Sequence, residues 1–150
     1  RFAVIEDPQG GHLSPFKSKD EAPEDEGMPA VGTFCWDELL TSEPAAAVKF
    51  YEDIFGWTHT DMDMGPMGTY HVLKRGERMA GGIMKKPMAE SPTAWLAYVA
   101  VEDVDASAKR AESLKAKIVV PAQDIPKIGR FSVIQDPTGG FVSLFKSAPA

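Results

Sequence analysis

Apolar positions along the chain fall into two successive patterns of the same order. Residues 31–41 are rich in apolar and β-branched side chains and lack proline, which predicts a strand. Ala45, Val48, Phe50, Tyr51, Ile54 and Phe55 then recur at helical spacing. Thr41 or Ser42 is placed to cap that helix, Pro44 suits its first turn, and Gly56 ends it. Residues 57–62, 69–74 and 78–85 read as three strands, separated by Gly65-Pro66-Met67-Gly68 and by Gly76. After a connector holding Pro87, Ser91 and Pro92, the order recurs. Residues 94–101 predict a strand, and Val104, Ala108, Ala111 and Leu114 predict a helix begun by Asp103 or Asp105. A short strand at 117–120 and two more at 130–135 and 141–146 complete it. The last two are joined by Asp136-Pro137-Thr138-Gly139-Gly140, in which proline pre-sets φ and glycine is free to take positive φ. Both halves read β-α-β-β-β, a mixed α+β pattern.

The beginning of the chain repeats its end. Residues 1–17 match residues 130–146 at an offset of 129, with 11 of 17 pairs identical, among them Asp7/Asp136, Pro8/Pro137, Gly10/Gly139 and Gly11/Gly140. Repeats decide architecture before any other signal. Residues 1–17 therefore read as the last hairpin of a preceding, truncated copy, with a native N-terminal extension as the alternative. Residues 18–30, with Asp20, Glu21, Glu24, Asp25 and Glu26 among Pro23, Gly27 and Pro29, read as an acidic linker. Residues 31–147 read as the complete domain.

Composition narrows the function classes. The chain of 150 residues is 43% hydrophobic and 25% charged, ordinary for a globular domain. Its formal net charge of -6 disfavours nucleic acid and anionic membrane as partners. The longest apolar run, 95–101, is too short to span a bilayer. A single cysteine, Cys35, excludes an internal disulfide and a multi-cysteine zinc site. No secretory pattern opens the sequence, and a cytoplasmic location is expected. No G-x-S-x-G motif supports a serine nucleophile, and neither Gly81-Gly82 nor Gly139-Gly140 opens a helix as a phosphate loop would.

Several segments together resemble one family. Ala47, Phe50, Tyr51, Gly56 and Trp57 fit the pattern A-x-x-F-Y-x-x-x-x-G-W. With the segments 101–106 and 136–140, they resemble the vicinal oxygen chelate superfamily of glyoxalases, bleomycin-resistance proteins and extradiol dioxygenases. Residues 34–39 are similar to the start of a tandem, glyoxalase-like subgroup. The resemblance implies two βαβββ modules forming a curved mixed sheet around a cavity. It also implies that the 1–17 hairpin, marginal alone, packs on a sheet edge within the chain or on a neighbour. Homodimerisation, or pairing with a missing tandem domain, is the corresponding expectation.

Members of this superfamily commonly hold a divalent metal with His, Gln or Glu from four strands. The resemblance places those positions at Trp36, near Gly82 to Met84, near Trp95 or Leu96, and at Ser143 (Ser14 in the N-terminal copy). None carries a good ligand, so no metal and no other cofactor is expected. His59 and His71, with Asp61 two residues from His59, form either an unorthodox metal pair or ordinary exposed histidines, and are read here as the latter. His12 lies in the N-terminal hairpin. If Trp36 points into the cavity, alternation along the strands brings Phe34, Glu38 and Leu40 with it, and places Phe141 and Ser143 inward on the last strand. Tyr70, Met84 and Tyr98 complete a candidate ligand-binding set of Phe34, Trp36, Glu38, Tyr70, Met84, Tyr98, Phe141 and Ser143. Glu38 is the candidate catalytic residue, since desolvation of a carboxylate in an apolar pocket favours a general base or a hydrogen-bonding anchor. A Glu38 at the strand end, either solvated or paired with Arg130 or a lysine, is the competing reading. Three functions stay open: a metal-free protein binding a small, partly aromatic molecule; a lyase or isomerase using Glu38 or an atypical metal site; and a non-catalytic half of a tandem protein.

Overall fold

The computed structural model describes residues 1–20 and 29–149. Most of the segment read as an acidic linker, residues 21–28, lies outside the described residues. Two compact units are present, one of residues 1–20 and 37–95, the other of residues 29–36 and 96–149. After a small hairpin of β1 (Ile5–Glu6) and β2 (His12–Leu13), the elements run β3 (Phe34–Thr41), α1 (Pro44–Phe55), β4 (Thr58–Asp63), β5 (Thr69–Arg75) and β6 (Arg78–Lys85). Then come β7 (Ala94–Ala100), α2 (Val104–Ser113), β8 (Lys117–Ile125), β9 (Gly129–Gln135) and β10 (Phe141–Ser147). This is the mixed α+β order of two βαβββ modules. Among the described residues no helix is long and apolar enough to cross a membrane.

The two modules pair their strands alike. In the first, β4 lies against β5 and β5 against β6, both antiparallel, and β6 pairs parallel with β3 through Glu38↔Gly82 and Leu40↔Met84. In the second, β8, β9 and β10 are antiparallel neighbours, and β10 pairs parallel with β7 through Ser143↔Tyr98. The helix supplies the crossover between the first strand and the three that follow.

Local chemistry explains the element ends, with two corrections. α1 is capped by neither Thr41 nor Ser42. Glu43 holds the N-cap position without a side-chain bond, and Pro44, which has no N–H to satisfy, starts the helix. Thr41 stays in β3, fully buried. At the far end Gly56 turns left-handed at φ 65° and its N–H donates to the Glu52 carbonyl. α2 starts at Asp103, whose carboxylate accepts the Ala106 N–H at 2.9 Å. The second correction concerns β8, which runs to Ile125, beyond the expected 117–120. It passes Pro121 with register shifts between Ile118 and Val120 and between Val120 and Gln123. Proline is tolerated there because β8 ends its row of strands, where a ladder N–H is dispensable.

Each module has its own core beneath its helix. In the first unit Leu39, Ala47, Val48, Tyr51, Leu73 and Ile83 are buried together, with Leu13, Phe50, Phe55, Trp57, Ala80 and Trp95 packed around them. In the second, Val104, Ala108, Ile134 and Leu144 form the cluster. Each fully buried leucine or isoleucine contributes about 1.5–3 kcal/mol relative to an exposed one.

The N-terminal hairpin packs within the chain, but not as an added sheet strand. β1 and β2 pair only with each other, and a Phe2↔Phe16 bridge closes the hairpin base. Its turn instead enters the first unit's core. The Asp7 side chain accepts the N–H groups of Gln9 and Gly11 through Oδ1, each at 2.8 Å, as turn chemistry requires. Its other oxygen accepts the Tyr51 hydroxyl at 2.9 Å, and that hydroxyl accepts the Trp95 indole N–H at 3.1 Å. The expectation of edge packing failed because buried polar groups compete for a docking place. Tyr51 and Trp95 each need a partner, and the turn carboxyl supplies one.

Candidate functional site

Alternation fixes what each strand of the first unit shows on its two faces. Leu39, Leu73 and Ile83 belong to the cluster beneath α1. Their neighbours Glu38, Leu40, Tyr70, Val72, Gly82 and Met84 therefore occupy the opposite face. Gly82 stands between Glu38 on β3 and Val72 on β5 in register. A Cβ built on it would collide with the Tyr70 ring, reaching within 2.7 Å of Cε1 and closer still to the hydroxyl. The missing side chain lets Tyr70 lie across β6. Its hydroxyl thus sits over the backbone position directly paired with Glu38, about one strand spacing away.

Glu38 is 8% exposed and lies within β3. That rules out the solvated strand-end reading. Arg130 is committed elsewhere: its guanidinium grips Asp105 through Nε at 2.7 Å and Nη2 at 2.9 Å, and reaches Asp124 through Nη1 at 3.0 Å. A largely buried carboxyl and a phenol on one sheet face, which alternation also gives Leu40, Val72 and Met84, can anchor a polar group of a mostly apolar ligand. The same pair can accept a proton from carbon and steady the resulting oxyanion.

The other candidates belong to the second unit, and their surroundings differ. Val142 and Leu144 pack beneath α2, which turns Phe141, Ser143 and Phe145 to the other face, as alternation predicts. Tyr98 pairs with Ser143 and meets the Phe145 ring edge-on at 6.1 Å. Both are buried, and the Ser143 hydroxyl donates to the Ser132 carbonyl at 3.3 Å. Phe145 beside them is half-buried. Phe141 and Phe34 are exposed, and Trp36 is half-buried. At the positions where a metal was implied, Trp36 offers an indole, Ser143 a hydroxyl already committed to a carbonyl, and Gly82 to Met84 no charged or imidazole group. The residues there do not fit a divalent cation.

Two features of the first unit depend on register and packing rather than on local pattern. Gly82 is the gap that seats Tyr70, and the signal was a glycine pair inside a strand pattern. The second is the chain Trp95–Tyr51–Asp7, in which burial holds the Tyr51 hydroxyl well above its ordinary pKa. Its signal was the Asp-Pro-x-Gly-Gly turn recurring at residue 7.

Comparison with known proteins agrees with this architecture. Residues 31–143 match the profile of the Glyoxalase/Bleomycin resistance protein/Dioxygenase superfamily. The chain is 38% identical over 152 aligned residues to "Putative glyoxylase CFP32" of Mycobacterium bovis, an alignment that takes in 99% of this chain and 57% of that protein. It is 25% identical over 131 residues to "Anthracycline biosynthesis protein DnrV" of Streptomyces peucetius, with 78% of this chain and 48% of that protein aligned. The chain thus spans only about half the length of these curated relatives. Among solved structures it is similar to methylmalonyl-CoA epimerase from Mycobacterium tuberculosis, with a TM-score of 0.57, 18% identity, and 79% of this chain and 89% of that one covered. A single-residue variant of Streptomyces coelicolor methylmalonyl-CoA epimerase in complex with 2-nitronate-propionyl-CoA gives a TM-score of 0.60 at 14% identity, covering 80% and 100%.

Proposed function

Because the chain belongs to the Glyoxalase/Bleomycin resistance protein/Dioxygenase superfamily, we propose that it binds a small, partly aromatic molecule on the first unit's Glu38–Tyr70 face, with no metal at that face. The observation that carries this reading is the Gly82 gap, which puts the Tyr70 hydroxyl beside a nearly buried Glu38. Apolar walls with a few convergent polar groups are what a small-molecule site requires. The name of the Streptomyces peucetius relative supports an aromatic ligand class. An anthracycline is therefore the first probe, followed by tryptophan fluorescence on chelator-treated protein. Saturable quenching that weakens about tenfold or more in Glu38→Gln, a loss of about 1.4 kcal/mol, is the expected result. Equal affinity in the variant overturns the assignment.

A second reading is favoured by the carboxyl–phenol pair itself, and by the epimerases among the structural neighbours. In it Glu38 takes a proton from the carbon next to a substrate carbonyl. Tyr70 donates a hydrogen bond to the enolate oxygen, a proton from water adds to the opposite face of that carbon, and Glu38 gives its proton up to solvent, so the net change is inversion at the carbon. A Glu38→Gln variant that binds but does not turn over a CoA thioester supports it. Two further elements belong to the proposal: pairing with a second module, as a homodimer or a tandem partner, and a cytoplasmic setting. The seating of a near copy of residues 130–146 on Tyr51 supports the first, and light scattering tests it. Fractionation tests the second. If neither probe binds and a tandem partner restores activity, the chain is the supporting half of a longer protein.

A further inference from the structure

On the opposite side of β4 and β5 from Tyr70, three potential metal ligands converge. Asp61 and His71 are direct cross-strand partners, and His59 lies two residues along β4 on the same face. One donor atom from each of His59, Asp61 and His71 falls within 4.8 Å of the other two. The Asp61 carboxylate meets His71 Nδ1 at 2.7 Å and His59 Nε2 at 3.5 Å through the same oxygen, Oδ1. The two imidazole rings are 5.7 Å apart and nearly perpendicular.

A fourth residue sets the chemistry of the first ring. Glu52, in the last turn of α1, meets His59 Nδ1 at 2.7 Å. With a proton on the Nδ1 that faces this carboxylate, the Nε2 lone pair is the one directed toward Asp61. A carboxylate behind an imidazole in this way is what fixes tautomer and ring orientation in metal sites. The spacing also suits a cation. In a tetrahedral site with bonds of about 2.0 Å, ligand atoms stand roughly 3.3 Å apart, close to the 3.5 Å between His59 Nε2 and Asp61 Oδ1. The His71–Asp61 contact needs to open by only about half an ångström to match. The cation would take the place of the hydrogen between these two groups, with His71 carrying its proton on Nε2. His59 and Asp61 are partly exposed, so solvent can fill the remaining coordination position.

We propose that His59, Asp61 and His71 bind one late first-row divalent cation, zinc or nickel in class, with Glu52 as the positioning residue. Two imidazoles and one carboxylate are a donor set these metals favour. The site lies away from the Glu38–Tyr70 face and is independent of the reading proposed for it. Its structural effect would be to clamp β4, whose residues are all exposed, onto β5.

Calorimetric titration of zinc into the chelator-treated full chain tests the proposal. One equivalent should bind with a dissociation constant in or below the micromolar range, at least a thousandfold tighter than about 1 mM. His59→Gln and His71→Gln should each weaken binding at least tenfold, and Glu52→Gln about tenfold through ring orientation alone. His12→Gln, which removes the histidine paired with Glu6 at 3.5 Å, should leave it unchanged. Cobalt in place of zinc should give the visible absorption of a four-coordinate centre, absent from His59→Gln. If His71→Gln does not fold, His59→Gln on the exposed strand decides. Absence of saturable binding in the parent chain, or affinity that survives His59→Gln, overturns the proposal.

Discussion

Replacing Tyr51 with phenylalanine removes one oxygen atom from the centre of the first unit. Tyr51 is fully buried and Asp7 is 3% exposed, so the carboxyl left behind cannot turn to water, whereas the Trp95 N–H sits in a half-buried ring. The change deprives Asp7 Oδ2 of the donor now at 2.9 Å and the Trp95 N–H of the acceptor now at 3.1 Å. Asp7 Oδ1 keeps its two turn bonds, so only part of the carboxyl is affected. An unsatisfied buried polar group costs about 1–3 kcal/mol, and two of them, relieved in part by local relaxation, total roughly 2–4 kcal/mol. For a chain of this length that lowers Tm by roughly 5–15 °C. Urea unfolding followed by circular dichroism gives the free energy. Trypsin cleavage at Lys17 and Lys19 reports release of the hairpin, and should accelerate in Tyr51→Phe. A double-mutant cycle with Asp7→Ala should show coupling above about 0.5 kcal/mol. Additive effects, or a loss in Tyr51→Phe under about 0.5 kcal/mol, would show that the turn merely rests against α1.

Gly82→Ala forces a Cβ into the Tyr70 ring and should cost about 1–3 kcal/mol. If the tyrosine moves aside, the probe's affinity falls as well; unchanged stability and affinity in calorimetry would contradict the packing described. The second turn gives a pH dependence. Hydrogen bonds from the Thr138 side chain and the Gly140 N–H hold the Asp136 carboxyl below its ordinary 3.8. A depressed folded-state pKa adds stability above the unfolded value and loses it as pH falls through the folded one. The stability difference between the parent and Asp136→Ala should therefore be constant above 3.8 and shrink below it. A difference that grows on acidification reverses the assignment. Arg130→Lys keeps the charge but loses the two-pronged grip on Asp105. It should loosen α2 against β9, seen as faster amide exchange in both elements; exchange at the parent rate would mean that the grip holds nothing.

Much of this was legible in the order of residues because alternation and helical period are local properties. Leu39 in the core dictated the face of Glu38, and Val142 and Leu144 dictated that of Ser143. The βαβββ order followed from punctuation at Gly56, Gly65, Gly68, Gly76 and Gly139. What stayed hidden depends on register and long-range packing. Nothing local pairs Gly82 with Glu38, and the seating of Tyr70 follows from that pairing. Asp7 and Tyr51 are 44 positions apart, and their bond is decided by which buried donor lacks a partner. His59, Asp61 and His71 share a face by alternation, yet Glu52 joins them only because α1 ends beside β4. Ser143 and Tyr98 share a face as alternation requires, but their depth of burial and the Ser143 bond to the Ser132 carbonyl depend on packing that no local pattern encodes.

On the reading proposed above, the Glu38–Tyr70 face of the first unit takes the ligand. Amide and methyl chemical-shift mapping of the full, chelator-treated chain with the anthracycline probe tests it most directly. Shifts centred on Glu38, Tyr70, Val72, Gly82 and Met84, and lost in Glu38→Gln, are the expected result. Shifts centred instead on the cleft lined by Glu102, Asp103, Arg110 and Lys146 beside α2, or the same map in Glu38→Gln, would contradict it.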